Sequence, residues 1–560
     1  MKSIFKYIAV TVGALSLFAC QQPEFKYPDV ATKGINSLTA YFIGDNSDEN
    51  KFSSEIDYEN HVITVVFPYT YPANTNYHLE ESDLEKVKLV AGLDDNCYLS
   101  PSVLIMDLTK ENTITLINQK KEKIDYVVRA EIRKSAECAV TSFKLVDQKL
   151  SGVVNESTKV ISIVYDDTPD PQLAEVELSF GASITGKVDP TKTACDYSSD
   201  VVFTVTAQDG KTSADYTVKV QLPSTLDKGA RPNSGKVLWN VKLKEAYNLA
   251  TPFMMTSMAV IDDYIVLNTR AEDMIVVDRK TGEKVGSIPL PFKGSLTNFK
   301  VTGDDTDNIL VTNLSSDELV VYRIKGINGT PQEYIRYATG GKSYGRGISV
   351  AGSLDSDAVI VMPRYQDTWT FLRWMVTGGV LNPVPEVVDI NCSLNAGGWV
   401  YNCDIVPTSA TDPKADYFVN SYAKLTNTVA GVDRGTLWIE GAGNTLRQNS
   451  AFTSANWVRN AGDYVKFNGV GFYVANTVNS FTWGSDDNVY LYDLGDGNLD
   501  NVFWQTESGT YGSMAVLAEA NGNACADVAL KVSDNGYYMY LYFFFAGGRM
   551  VCVQFDCLDM

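Results

Sequence analysis

The chain has 560 residues, with 68 acidic against 47 basic side chains, a formal net charge of −21 and only two histidines. A surface of that sign repels phosphate backbones and anionic lipid head groups, so nucleic acid is excluded as an expected partner. With 45% hydrophobic and 21% charged residues the composition is that of folded domains rather than of a disordered chain.

Lys2 and Lys6 precede an apolar run from Ile8 to Phe18, and Ala19 and Cys20 follow it, which is the order of a secretory signal. The run is too short to cross a bilayer as a mature helix. Leu17-Phe18-Ala19-Cys20 resembles a bacterial lipobox, with Phe18 where a smaller residue is usual. That resemblance implies removal of residues 1–19 as a lipoprotein signal peptide and acylation of Cys20, each buried methylene adding about 0.8 kcal/mol to membrane attachment. Residues 20–33 are polar and include Pro23 and Pro28, so they predict an extended tether.

The next two stretches repeat one another, predicting module one over residues 34–134 and module two over 138–223. His61-Val62-Ile63-Thr64-Val65-Val66-Phe67 matches Lys159-Val160-Ile161-Ser162-Ile163-Val164-Tyr165, and Leu84 to Leu89 matches Leu173 to Leu178. Both copies close on an Asp-Tyr strand, Asp125 to Ile132 and Asp215 to Leu222. Apolar and polar positions alternate in each segment and no amphipathic helical stretch intervenes, which predicts two immunoglobulin-like β-sandwiches. Neither histidine, His61 or His78, has a metal-ligand neighbour at the required spacing.

Residues 224–235 read as a linker, short of apolar residues and closed by Pro232. All eight tryptophans follow it. From residue 236 to 560 a unit recurs in which an apolar strand, often ending in Asn, is followed by a turn and a second apolar strand. Tyr264 to Asn268, Ile309 to Asn313, Val359 to Met362, Tyr417 to Asn420, Phe472 to Asn476 and Tyr537 to Leu541 begin the units. Six units at blade-like spacing predict a β-propeller of six blades, with seven as the alternative. The unpaired strand Lys236 to Val241 is expected to join the last blade and close the ring. The fold class expected for the whole chain is therefore all-β.

The candidate chemistry is sparse. No histidine lies beyond residue 78, which removes Ser-His-Asp and Cys-His mechanisms from the propeller. A pair of carboxylates suffices for glycoside hydrolysis, but no pair stands out. Asp304 to Asp307 and Asp493 to Asp500 carry the hard oxygen ligands that calcium takes but lack EF-hand spacing and read as solvated turns, so no cofactor or metal is expected, with structural calcium at these turns as the alternative. Trp399, Trp457 and Trp483 lie in loop-like surroundings suited to stacking on sugar faces, whereas Trp239, Trp438 and Trp504 sit in strand patterns. Eight cysteines remain after Cys20; Cys392 and Cys403 are the local disulfide pair, unless they are buried free thiols.

Leu17-Phe18-Ala19-Cys20, the two Asp-Tyr strands, Ala526 to Lys531 and Asp534-Asn535-Gly536-Tyr537 together resemble a family of Bacteroidota-type surface lipoproteins with Ig-like repeats and a C-terminal propeller. The resemblance implies a companion of polysaccharide-uptake systems, anchored by lipid in the outer membrane and facing outward, with the periplasmic face as the other option. The function expected is non-catalytic binding of a glycan at the propeller rim, with the modules as spacers. A protein-binding subunit of an outer-membrane complex is the alternative, and a carboxylate-dependent glycosidase or lyase the third.

Overall fold

The computed structural model describes residues 33–559 apart from 45–49, 74, 252–253, 271, 295, 366–367, 392–402, 422–435, 451–456, 460, 480–487, 508–509 and 512–524. The chain divides into two units, Met1–Gln221 and Leu222–Met560, and both are built of strands.

In the first unit each repeat is a sandwich. Module one sets Ile35–Phe42, Val87–Leu93 and Ile105–Met106 against five strands in the order Ser54–Asp57, Val62–Pro68, Lys123–Arg133, Asn112–Ile117, Tyr98–Ser100. The segments matched in sequence take equivalent places. Val62–Pro68 runs parallel to the closing strand Lys123–Arg133, and Val160–Val164 runs parallel to Ser213–Gln221. Other pairings in both modules are antiparallel, so this shared exception marks the two copies as one design. Alternation places Ile63, Val65 and Phe67 in one core and Ile161 and Ile163 in the other. Tyr126 and Tyr216 of the Asp-Tyr strands are both buried, and the Tyr216 hydroxyl accepts the Val140 amide at 3.1 Å and donates to Glu156 at 2.7 Å. In module two Ser151–Asn155 pairs first with Val140–Leu145 and then with Val160–Val164, passing between layers. Gly152 stands at that switch, where a Cβ would lie 2.5 Å from Ile161.

The second unit consists of six antiparallel sheets. Blade one takes Met255–Val260, Tyr264–Thr269, Met274–Asp278 and Lys284–Ile288 in that order from the inside outward. The inner strands of the other blades are Lys300–Gly303, Ser349–Gly352, Cys403–Pro407, Gly462–Phe467 and Ala526–Val532. Each inner strand neighbours the next and the sixth returns to the first, so the sheets stand around one axis as a six-bladed β-propeller. Lys236–Lys242 pairs with Arg549–Asp556 as the outer strand of blade six, closing the ring as the sequence predicts. Trp239 of this strand packs on Tyr542 with centroids 6.2 Å apart and donates its ring N–H to the Arg279 carbonyl at 3.0 Å. The outer hairpin of blade one turns at Gly282 with φ +74°, and a Cβ there would sit 2.7 Å from the Trp239 ring.

Two readings need adjustment. The recurring strands that end in Asn are the second strand of each blade, and an inner strand of four to seven residues precedes each. Their continuous apolar character follows from burial on both faces, as in Ala358–Pro363, where all six residues are buried. The terminal Asn stitches neighbours: Asn268 donates to Thr256 and to the carbonyls of Asn298 and Phe299 at the entrance to blade two. The linker 224–235 is docked on the propeller, with Thr225 bridged to Leu558, Gly229 donating to Asn468, and Arg231 paired with Asp556 at 2.6 Å.

Candidate functional site in the central channel

An inner strand is the edge of its sheet, and its unpaired amides face the axis of the ring, where they need acceptors. The neighbouring blades supply them at four junctions through carboxylates. Asp305 accepts the Gly352 amide at 3.1 Å, Asp404 the Gly462 amide at 3.0 Å, Asp463 the Leu530 amide at 2.7 Å and Asp527 the Met258 amide at 2.8 Å. Hydroxyls span the other two: Ser257 accepts the Val301 amide at 2.8 Å and Ser349 donates to Asp404 at 2.7 Å. Each of the six blade junctions, including six to one, is thereby crossed by a side chain.

These bonds wall a channel of about 390 Å³, large enough for a small ligand. Burial pushes the Asp404 carboxyl up to about 6, against the pull of Lys300. Burial likewise lifts Asp463 to about 7, opposed by the amides of Leu530 and Tyr464 and by Lys531. Asp527 is raised for the same first reason, with Lys300 opposing. Lys531 donates to the Asp304 carbonyl at 2.7 Å and lies 3.9 Å from Asp305. Lys300 also lines the channel, and among the described residues its ammonium has neither a hydrogen bond nor an ion pair.

Within the turn expected to be solvated, Asp305 is exposed but Asp304 is buried. The Asp304 carboxylate accepts the Thr306 hydroxyl, the Asn308 amide groups and the Leu354 amide. The turn therefore ties blade two to blade three. Among the described residues no group of His, Cys, Asp or Glu is placed to hold a metal ion, and no helix is long and apolar enough to cross a membrane.

Of the residues singled out from sequence, Cys20, Cys392, Trp399 and Trp483 lie outside the described residues. Trp457 opens the short strand Trp457–Val458, which pairs with Val470–Asn479; its side chain is likewise outside what is described. Cys403 heads the inner strand of blade four, and burial holds its thiol well above the usual range. Sequence reasoning missed Lys300, Asp404, Asp463 and Asp527. A usable signal existed: Asp404-Ile405-Val406, Asp463-Tyr464-Val465, Asp527-Val528-Ala529 and Ser349-Val350-Ala351 each place a short acceptor before a brief apolar run.

Three family models match the chain: a domain of unknown function (DUF5018) over residues 15–130, a second (DUF8499) over 140–220 and a third (DUF8500) over 244–557. Among solved structures, a DUF4623 family protein from Bacteroides eggerthii is similar at 15% identity, over 75% of this chain and 98% of that chain, with a TM-score of 0.42. The N-terminal domain of Nup159 is similar at 11% identity, over 53% of this chain and 75% of that chain, with a TM-score of 0.30. No curated protein matches.

Proposed function

Starting from the premise that the chain belongs to the DUF8500 family, whose model covers residues 244–557, we propose that it is a lipid-anchored binding protein of the bacterial cell envelope, attached to the outer membrane through Cys20, that holds a glycan on its propeller. The observation that carries this reading is the state of the channel carboxylates. Asp404, Asp463 and Asp527 are each committed to a backbone amide of the next blade, so they serve ring closure. Retaining or inverting hydrolysis needs a carboxylate pair free to meet a sugar. A polar channel of about 390 Å³ with its acids engaged favours recognition over bond cleavage.

The lipobox-like Leu17-Phe18-Ala19-Cys20 and the tether 20–33 support attachment to lipid, and Trp399, Trp457 and Trp483 supply ring faces of the kind sugars stack on. A glycan array probed with the chain from Gln21 onward tests the binding reading. Retention of one polysaccharide class supports it, and a blank array together with product release from a polysaccharide would replace it with the hydrolytic one. Cys20→Ala tests the anchor: the wild type should pellet with membranes and the variant should not.

A further inference from the structure

The channel wall is rich in hydrogen-bond acceptors. In an antiparallel pair the amide and carbonyl of one residue lie on the same side of the strand. The amides of Met258, Val301, Gly462 and Leu530 leave their own sheets for side chains of a neighbouring blade, so their carbonyls turn toward the axis with them. The carboxylates add to this, because an ionised carboxylate accepts at about four positions. Asp404 accepts the Ser349 hydroxyl and the Gly462 amide, Asp463 the Tyr464 and Leu530 amides, and Asp527 the Met258 and Val528 amides. Each keeps room for a further donor without leaving its place in the ring.

Donors stand among these acceptors. Lys300 opens the inner strand of blade two, and Lys531 is the last residue but one of the inner strand of blade six. Lys300 acts on Asp404 of blade four and on Asp527 of blade six, which sets its ammonium inside the ring rather than against its own blade. Lys531 gives one N–H to the Asp304 carbonyl at 2.7 Å, and an ammonium has three. With Asp305 and Lys466 the lining holds four carboxylates and three lysines, near balance in charge. An anion meets the four acids and a cation the three lysines, whereas a hydroxyl both donates and accepts. Residues of all six blades wall the space, so a ligand enters along the axis, end first. Its volume of about 390 Å³ is at the small end of ligand pockets, which run from about 300 to 1,000 Å³, and admits the end of a glycan but not a stretch of its length.

We infer that the channel binds the terminal sugar of an uncharged glycan, its hydroxyls donating to Asp404, Asp463 and Asp527 and accepting from Lys300 and Lys531. The inference rests on the glycan-binding reading above and narrows it to a ligand class and a direction of entry.

The test compares the chain from Gln21 onward with Asp404→Asn, Lys300→Met and, as a control on the exposed outer strand of blade one, Lys284→Gln. Far-UV circular dichroism checks folding, and Lys300→Met carries the test where Asp404→Asn does not fold. Isothermal titration uses glucose, galactose, mannose and xylose, the charged galacturonate and glucosamine, and the neutral polymers dextran and galactan. One neutral sugar should bind, compete with a polymer of that sugar, and lose about tenfold or more in affinity in the first two variants but not in the control, the loss belonging to charge-assisted bonds. Polymer binding that no free sugar competes with and that neither variant weakens overturns the channel site and leaves glycan binding standing. Galacturonate or glucosamine bound more tightly than every neutral sugar overturns the uncharged class. A neutral sugar that binds the wild type and not the variants, with no polymer retained, upholds the channel and removes the glycan reading, and a blank with every probe removes both.

Discussion

Asp404 gives the ring a pH dependence of defined sign. Its carboxyl moves from 3.8 to about 6 on folding, so the folded state holds the proton more tightly than the unfolded chain does. Stability from this group is greatest below pH 3.8 and falls as pH rises through 6, by about 3 kcal/mol in full. About 2 kcal/mol of that falls between pH 4.5 and 7.5. Asp404→Asn removes the ionisation while keeping an oxygen for the Gly462 amide, and Ser349 can turn from donor to acceptor. The variant should therefore gain about 2 kcal/mol on the wild type between those two pH values. Urea unfolding followed by tryptophan emission is the assay, since all eight tryptophans lie between residues 239 and 504 and the signal reports the propeller alone. Lys300→Met should steepen the wild-type slope, because Lys300 opposes the rise. Parallel pH curves for wild type and Asp404→Asn would refute the reasoning, as would a variant that loses ground as pH rises.

Three further outcomes follow from packing. Gly282→Ala combines a left-handed φ of +74° with a Cβ 2.7 Å from Trp239, and should cost about 1–3 kcal/mol in the same urea assay. Trp239→Ala empties the seam where the ring closes and should cost about 3–5 kcal/mol, with faster proteolysis within residues 236–242. Tyr216→Phe deletes the hydroxyl that serves Val140 and Glu156 and should lower module-two stability by about 1–2 kcal/mol in circular dichroism melts of the chain. The same change at Tyr126 should cost less, since that hydroxyl has no hydrogen bond among the described residues.

The modules were legible because one buried face imposes period two on the chain, and Ile63, Val65 and Phe67 against Ile161 and Ile163 repeat it. The second and third strands of the blades were legible for the opposite reason: burial on both faces makes them continuously apolar, as at Val359 to Met362. The inner strands of blades two and three hid because they are brief, Lys300–Gly303 and Ser349–Gly352 having four residues each. The site hid with them. A carboxylate such as Asp527 is functional only through an amide more than two hundred positions away, the Met258 bond spanning 269 residues, and no local spacing encodes such a partner. Arg270, Phe299 and Arg346 likewise meet from three successive blades.

The bridge between Thr225 and Leu558 also settles where the chain comes and goes. Lys236–Lys242 runs antiparallel to Arg549–Asp556, so the polypeptide enters and leaves the ring side by side, at the pole away from Arg270 and Lys300. A biosensor surface that captures the protein by a tag placed beyond Leu558 would therefore present the opposite pole, where the inner strands begin, to the flowing analyte.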